Sequence, residues 1–214
     1  MKIYEERQEE IMQAWILAVM GKYGYFGIFL LILLENVFPP IPSEVILTFG
    51  GFMTTKTDMN VIGVIGMATL GSLIGAVILY GIGRLLNEER MIKIAMKYKV
   101  LRIKPEDIEK TMNWYRKYEY KTVFFCRMIP IVRSLISIPA GIGKMPLLPF
   151  MFLTTLGSII WNTVLVGAGA ILGEAWESIL IYLDMYSNIV YLMIAIGGVI
   201  LAIYSMMTKG IKER

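Results

Sequence analysis

The sequence predicts an all-α integral membrane protein of one domain, in which two re-entrant helical hairpins and several spanning helices form an inverted repeat. Three observations predict this. First, the 214 residues are 57% hydrophobic and only 18% charged, against about 25% charged in a soluble domain, and the mean hydropathy is +0.63. Second, long charge-free apolar stretches alternate with pairs of short apolar arms that flank charged, proline-bearing tips. Third, the order of charge, proline, charge and small residues in the first half recurs in the second.

Residues 1–22 read as an N-terminal interfacial amphipathic helix. Ile11, Trp15, Ala18 and Val19 share one face, and acidic residues precede it. The alternative is a single long helix merging with Tyr23–Leu34. A secretory signal is not expected: Met1–Glu10 is charged throughout, and no small-residue cleavage site follows an apolar core.

Residues 23–55 form the first hairpin. A spanning helix needs about 20 apolar residues, and neither Tyr23–Leu34 nor Val45–Thr55 reaches that length. Pro39, Pro40 and Pro42 lack an N–H and clash with a preceding helical turn, so they shape the hairpin tip. Ser43 is placed to cap the returning helix, with Glu44 in its first turn near the positive end of the helix dipole. An ordinary interhelical loop is the plainer alternative.

A span over 61–83 follows, within the charge-free stretch Val61–Gly83, and then a cytosolic amphipathic linker over 84–121. The linker holds eleven Lys/Arg and six Asp/Glu, and such positive excess marks the cytosolic side. Inside it, Pro105 and the acids after it open a helix running through Tyr118, with Ile108, Met112 and Tyr115 on one face. The second hairpin covers 122–144, its short arms meeting at Arg127-Met-Ile-Pro130-Ile-Val-Arg133. Spans over 146–173 and 186–208 come next, then a cytosolic tail over 209–214 that carries Lys212 and Arg214. This charge pattern brings the acidic hairpin in from outside and the basic hairpin from the cytosol.

The repeat is visible by shifting the chain 86 residues: Gly71, Ser72, Leu79, Gly81, Gly83 and Leu86 align with Gly157, Ser158, Leu165, Gly167, Gly169 and Leu172. Upstream, Glu35, Pro39, Glu44 and Gly50-Gly51 answer to Arg127, Pro130, Arg133 and Ala140-Gly141. A unit that crosses once and is used twice must be inverted the second time, which is a transporter architecture. Composition alone offers the competing account, since small residues at helical spacing also serve helix packing.

Charges retained at membrane depth cost several kcal/mol and mark functional sites. If the tips meet, Glu35 and Glu44 approach Arg127 and Arg133. That set is either an ion-pair clamp, which gains little net energy, or a cavity for an anion. Two guanidiniums offer multi-donor forks suited to phosphate. The carboxylates then balance charge when the cavity is empty and release the arginines when protonated. Asn162 hydrogen-bonds across helices or lines the cavity with Trp161, and Ser72 and Ser158 are expected to bond back to helix carbonyls. The chain has no histidine and one cysteine, Cys126. No cofactor, metal site or intrachain disulfide is therefore expected. The net charge of +4 reads as topology and not as a nucleic-acid footprint. An oligomer is compatible with the sequence.

The proline-rich Glu cluster, the phrase FFCRMIPIVRSLISIPAGIGKM and the downstream Gly157, Trp161, Gly169 and Gly173 resemble the DedA family of bacterial membrane proteins, from about Tyr25 to Gly173. The family is related to VTT-domain lipid scramblases of the endoplasmic reticulum. The resemblance implies a multi-pass protein of the bacterial cytoplasmic membrane. It would flip a polyprenyl phosphate, undecaprenyl phosphate in several members, or another phospholipid, with dependence on protons. The rival readings are a proton- or cation-coupled antiporter of small solutes and a lipid phosphatase. The missing histidine argues against the enzyme.

Overall fold

The computed structural model describes residues 2–38, 43–86, 90, 105–130, 132–175, 185, 189 and 192. Among them every regular element is helical. In chain order these are α1 (Lys2–Val37), α2 (Ser43–Met53), α3 (Val61–Leu86), α4 (Pro105–Cys126), α5 (Val132–Leu135), α6 (Ser137–Ile142) and α7 (Leu147–Leu172), closed by a 3-10 turn over Gly173–Ala175. Pro39, Pro40 and Pro42, the span expected over 186–208 apart from residues 189 and 192, and the tail over 209–214 lie outside the described residues.

Among the described residues, three helices are long and apolar enough to cross a membrane: Ala14–Val37, Val61–Leu86 and Leu147–Leu172. Each of the latter two has 26 residues, or about 39 Å at 1.5 Å per residue. They match the expected spans over 61–83 and 146–173. The first was expected as two pieces, an interfacial helix over 1–22 and a hairpin arm from Tyr23. It qualifies only across a break, since Gly24 has φ 53 and ψ −129. That left-handed backbone, open to glycine, folds the helix back on itself. A methyl group on Gly27 would lie 2.8 Å from the Val19 carbonyl oxygen. The helix expected to run through Tyr118 does so, and α4 continues to Cys126 into the arm expected to open the second hairpin.

Local chemistry sets the ends. After α2, the hydroxyls of Thr54, Thr55 and Thr57 donate to the carbonyls of Gly51, Phe52 and Met53, each at 2.7 Å, and so satisfy groups that a helix end leaves orphaned. Asn60 caps α3: its Oδ1 accepts from Gly63 N–H at 2.7 Å. Asn60 N–H in turn donates to the Tyr25 hydroxyl at 2.7 Å, tying this cap to the break in α1. Lys144 takes φ 58 and ends the turn after α6, where its N–H donates to Gly141 O at 3.1 Å.

Two apolar clusters lie at opposite ends of the bundle. One joins Ile28, Leu31 and Ile32 of α1 to Ile46 of α2, Val64 and Ala68 of α3, and Leu165 and Val166 of α7. The other joins Ala76 and Tyr80 of α3 to Tyr115 of α4, Ala140 of α6 and Phe150 of α7. The helices α3 and α7 are therefore antiparallel, with the Tyr80 and Phe150 rings stacked 4.8 Å apart at one end. Between the clusters lies a layer of buried polar residues: Glu35, Asn36, Thr69, Ser72, Arg127, Arg133, Ser134, Ser137, Thr154, Ser158 and Asn162. The opposite faces are apolar and exposed, as at Leu70, Ile74, Ile78 and Ile82 of α3. That four-residue spacing is a lipid-facing stripe. This is a membrane protein.

Glycines set the helix crossings. The helix α2 packs on α7, where Gly51 faces the Val166 carbonyl and Gly169 faces the Thr48 carbonyl with no room for a methyl group. The helix returning from the second charged tip, α6, packs on α3 in the same manner: Gly141 faces the Tyr80 carbonyl and Gly83 the Ile138 carbonyl. Tyr80 and Val166, like Gly83 and Gly169, are 86 residues apart.

Candidate functional site

The polar layer is built where the ends of α1 and α4 meet α5, α6 and α7. Glu35 sits in the last turn of α1 and is 3% exposed; Arg133, in the short helix α5, is likewise 3% exposed. They form an ion pair, Arg133 Nη2 donating to Glu35 Oε2 at 3.0 Å. The Asn36 amide donates to the same oxygen at 3.0 Å and to Ile32 O at 3.1 Å. A buried carboxylate oxygen with two donors is the satisfied form of an otherwise costly charge.

Arg127 follows α4 directly and is 2% exposed. Its Nη2 donates to Ser137 Oγ at 2.8 Å and to Thr154 Oγ1 at 3.2 Å. Its guanidinium carbon stands 5.9 Å from the centroid of the Phe150 ring. The glycine at 157 makes room for it, since a methyl group there would lie 2.8 Å from Arg127 Cβ. Arg127 has no carboxylate partner among the described residues, and its Nε is buried without a hydrogen-bond acceptor. This is a buried cation held by neutral hydroxyls with a donor to spare.

Pro130 is buried in the turn between the two arginines, where Arg133 N–H donates to Ile129 O at 3.0 Å. Glu44 opens α2 next to Ser43, whose hydroxyl donates to Glu44 Oε2 at 3.3 Å. It is only partly buried and meets neither arginine, although Glu44, Arg133 and Arg127 all act electrostatically on Glu35. The four charges thus share a neighbourhood, but one pair forms where two were conceivable.

Asn162 is fully buried and its amide donates to Thr69 Oγ1 at 3.1 Å, linking α7 to α3. Trp161 is 9% exposed. The expectation for Ser72 is corrected: its hydroxyl bonds to no helix carbonyl and has no partner among the described residues. Sequence reasoning missed Ser137, Thr154 and Asn36. Nothing marks Ser137 or Thr154 in the chain as a holder of Arg127; Asn36 stands next to Glu35 and was legible only as a neighbour. Among the described residues, no group of three or more His, Cys, Asp or Glu is placed to hold a metal ion.

Comparison with known proteins places this arrangement. The VTT domain model matches residues 41–171. The chain belongs to the VTT-domain family. This bears out the DedA resemblance carried by Arg127 to Met145. VTT-domain relatives include an "Alkaline phosphatase-like protein" of Lactococcus lactis subsp. cremoris, 57% identical over 88% of both chains. Two are named "Undecaprenyl phosphate transporter A". The one from Staphylococcus aureus is 39% identical over 90% of this chain and 95% of its own. The one from Bacillus subtilis is 34% identical over 91% and 93%. No solved structure matches the chain significantly.

Proposed function

We propose that this VTT-domain protein moves a polyprenyl phosphate lipid carrier, undecaprenyl phosphate by analogy with the two named transporters, between the leaflets of the bacterial cytoplasmic membrane. The observation that carries this reading is Arg127: a buried guanidinium with no carboxylate partner and an unpaired Nε–H among the described residues. A phosphate monoester supplies the missing anion and accepts from a planar fork. Ser137 and Thr154 hold that fork in place, and their hydroxyl protons are free to turn toward phosphate oxygens.

In this reading the two charged tips are re-entrant, the acidic one entering from outside and the basic one from the cytosol. The reciprocal crossings support an inverted repeat: α2 packs on α7 as α6 packs on α3, through glycines at matching positions. Glu35 then acts as the counter-ion of Arg133. When a proton neutralises Glu35, Arg133 loses its partner and turns to the phosphate beside Arg127. When the proton leaves, the pair reforms and the phosphate is released. Glu44, partly exposed at the mouth of α2, balances charge along the way. This couples lipid return to the proton gradient, with the C-terminus in the cytosol.

Hydrolysis is the second reading, favoured by the name of the Lactococcus relative. The residues favour transport: the sequence has no histidine to act as base. Reconstitution in liposomes with a labelled polyprenyl phosphate tests both. Leaflet exchange that depends on Arg127 supports the flippase. Release of inorganic phosphate would establish the enzyme, and solute-driven proton flux without lipid movement would establish an antiporter.

A further inference from the structure

The two reciprocal helix crossings share one backbone frame. A methyl group on Gly141 of α6 would meet the Tyr80 carbonyl and lie 2.7 Å from the Arg84 nitrogen of α3; one on Gly51 of α2 would meet the Val166 carbonyl and lie 2.8 Å from the Ala170 nitrogen of α7. Arg84 and Ala170, like Tyr80 and Val166, are 86 residues apart. Three residues after each glycine the chain turns on the same bond: Lys144 N–H donates to Gly141 O and Thr54 N–H to Gly51 O, both at 3.1 Å. The side chains on this frame differ. One crossing carries Arg84 and Lys144, and the other carries Ala170 and Thr54 in their places. The packing does not require the two cations, since its uncharged counterpart closes without them. Nor does the helix dipole: a cation suits the last turn of α3, but α7 has no basic residue in its last turn.

The charged crossing holds its arginine in place. Tyr80 Oη donates to Met145 O at 2.6 Å and accepts from Arg84 Nη1 at 3.0 Å, which ties the guanidinium to the turn beside Lys144. Both cations are exposed, and neither forms an ion pair among the described residues. They stand where the span α3 ends and the span α7 begins, the depth of lipid headgroups, with exposed Leu85 and Leu148 next to them in the chain. The Tyr80 ring stacks on Phe150 at 4.8 Å, and the same Phe150 ring carries the Arg127 guanidinium. We propose that Arg84 and Lys144 form a second phosphate subsite, at the end that the proposed topology turns to the cytosol, where the polyprenyl phosphate docks one aromatic pair away from Arg127. Two cations suit a phosphate monoester, which carries about −1.5 to −2 charges at pH 7, better than a phosphodiester headgroup with a single negative charge. Arg84 supplies a planar fork and Lys144 a point charge, while the apolar surface at Leu85 and Leu148 leaves the polyprenyl tail in lipid. The repeat gives the molecule two like ends, and these two residues make one of them bind an anion. The subsite rests on the reading that the protein moves a polyprenyl phosphate.

Binding is tested apart from transport. The purified full chain in neutral detergent is titrated with undecaprenyl phosphate, with undecaprenol and with phosphatidylglycerol, and occupancy is read by native mass spectrometry. The wild type should take up two undecaprenyl phosphates. Arg84→Ala, Lys144→Asn should weaken one of the two by about tenfold or more and leave undecaprenol unaffected; asparagine is chosen because it tolerates the left-handed backbone at 144. Should the double variant fail to fold, Lys144→Asn alone, at an exposed position, should show part of the same loss. Equal uptake of undecaprenyl phosphate by wild type and variants overturns the proposal. So does a loss that is as large for phosphatidylglycerol, which would make the pair a general membrane anchor, or as large for undecaprenol, which would make phosphate irrelevant. Leaflet exchange in liposomes separates this from the reading beneath it. A wild type that moves no lipid yet shows the binding difference removes the flippase and keeps the subsite, while a wild type that moves lipid with no binding difference in the variants removes the subsite alone.

Discussion

Arg133 and Glu35 meet at 3.0 Å across a separation of 98 residues, while Arg127, six positions before Arg133, donates to two hydroxyls. One arginine is neutralised from within the protein, and the other is the one proposed to receive an anion from outside. The asymmetry makes the two guanidiniums unequal in their expected response to substitution.

Arg133→Met and Glu35→Leu should each destabilise the fold by about 3–5 kcal/mol, because each strands a buried charge. The double substitution should recover most of that loss, since an apolar pair of similar volume replaces the ions. Thermal unfolding in detergent, followed by tryptophan fluorescence, reads the cycle. Additive losses would show that the pair is not coupled.

Arg127→Lys should leave the fold intact and weaken retention of a polyprenyl phosphate by about tenfold or more, equivalent to about 1.4 kcal/mol. An ammonium can donate to both hydroxyls from one nitrogen, as Arg127 Nη2 does, but it lacks the planar fork whose other nitrogens present a second donor face to phosphate. Native mass spectrometry of the purified protein, titrated with the lipid, measures this. Equal retention by the variant counts against Arg127 as the phosphate site.

Gly169→Ala and Gly83→Ala should destabilise by about 1–3 kcal/mol or more, because the added methyl groups meet the Thr48 and Ile138 carbonyls. Gly167→Ala and Gly81→Ala, two residues earlier in each helix and facing open space, should stabilise by about 0.5–1 kcal/mol. Unfolding midpoints of the four variants check the contrast. Similar midpoints would mean the crossings are loose.

Labelling with a membrane-impermeant maleimide tests the topology. In a Cys126→Ser background, Thr57→Cys lies between α2 and α3 and should react from outside intact cells. Lys144→Cys follows α6 and should react only after the membrane is opened. Labelling of both from one side would remove the inverted repeat.

The charged site was legible because Glu35, Arg127 and Arg133 interrupt apolar sequence, where ionised groups are expensive. Which arginine pairs was not legible. That choice depends on Ser137 and Thr154, hydroxyls that look like ordinary helix residues until folding carries them to Arg127. The break at Gly24 was not legible: twenty glycines occur in the chain, and sequence does not single out Gly24 and Gly173 as the ones whose φ turns positive. The glycines at 83, 141 and 169 were visible as a repeat, but not as partners of the opposite half.

The 98 residues between Glu35 and Arg133 also set an order of events at the ribosome. At about 5–20 residues per second, the first acidic turn is made many seconds before its cation exists, and α2 has no α7 to clasp. The early half must wait inside the insertion machinery, or with Glu35 carrying a proton, until the later half arrives. Halting translation within the polar linker should therefore strand a fragment that quality-control proteases remove.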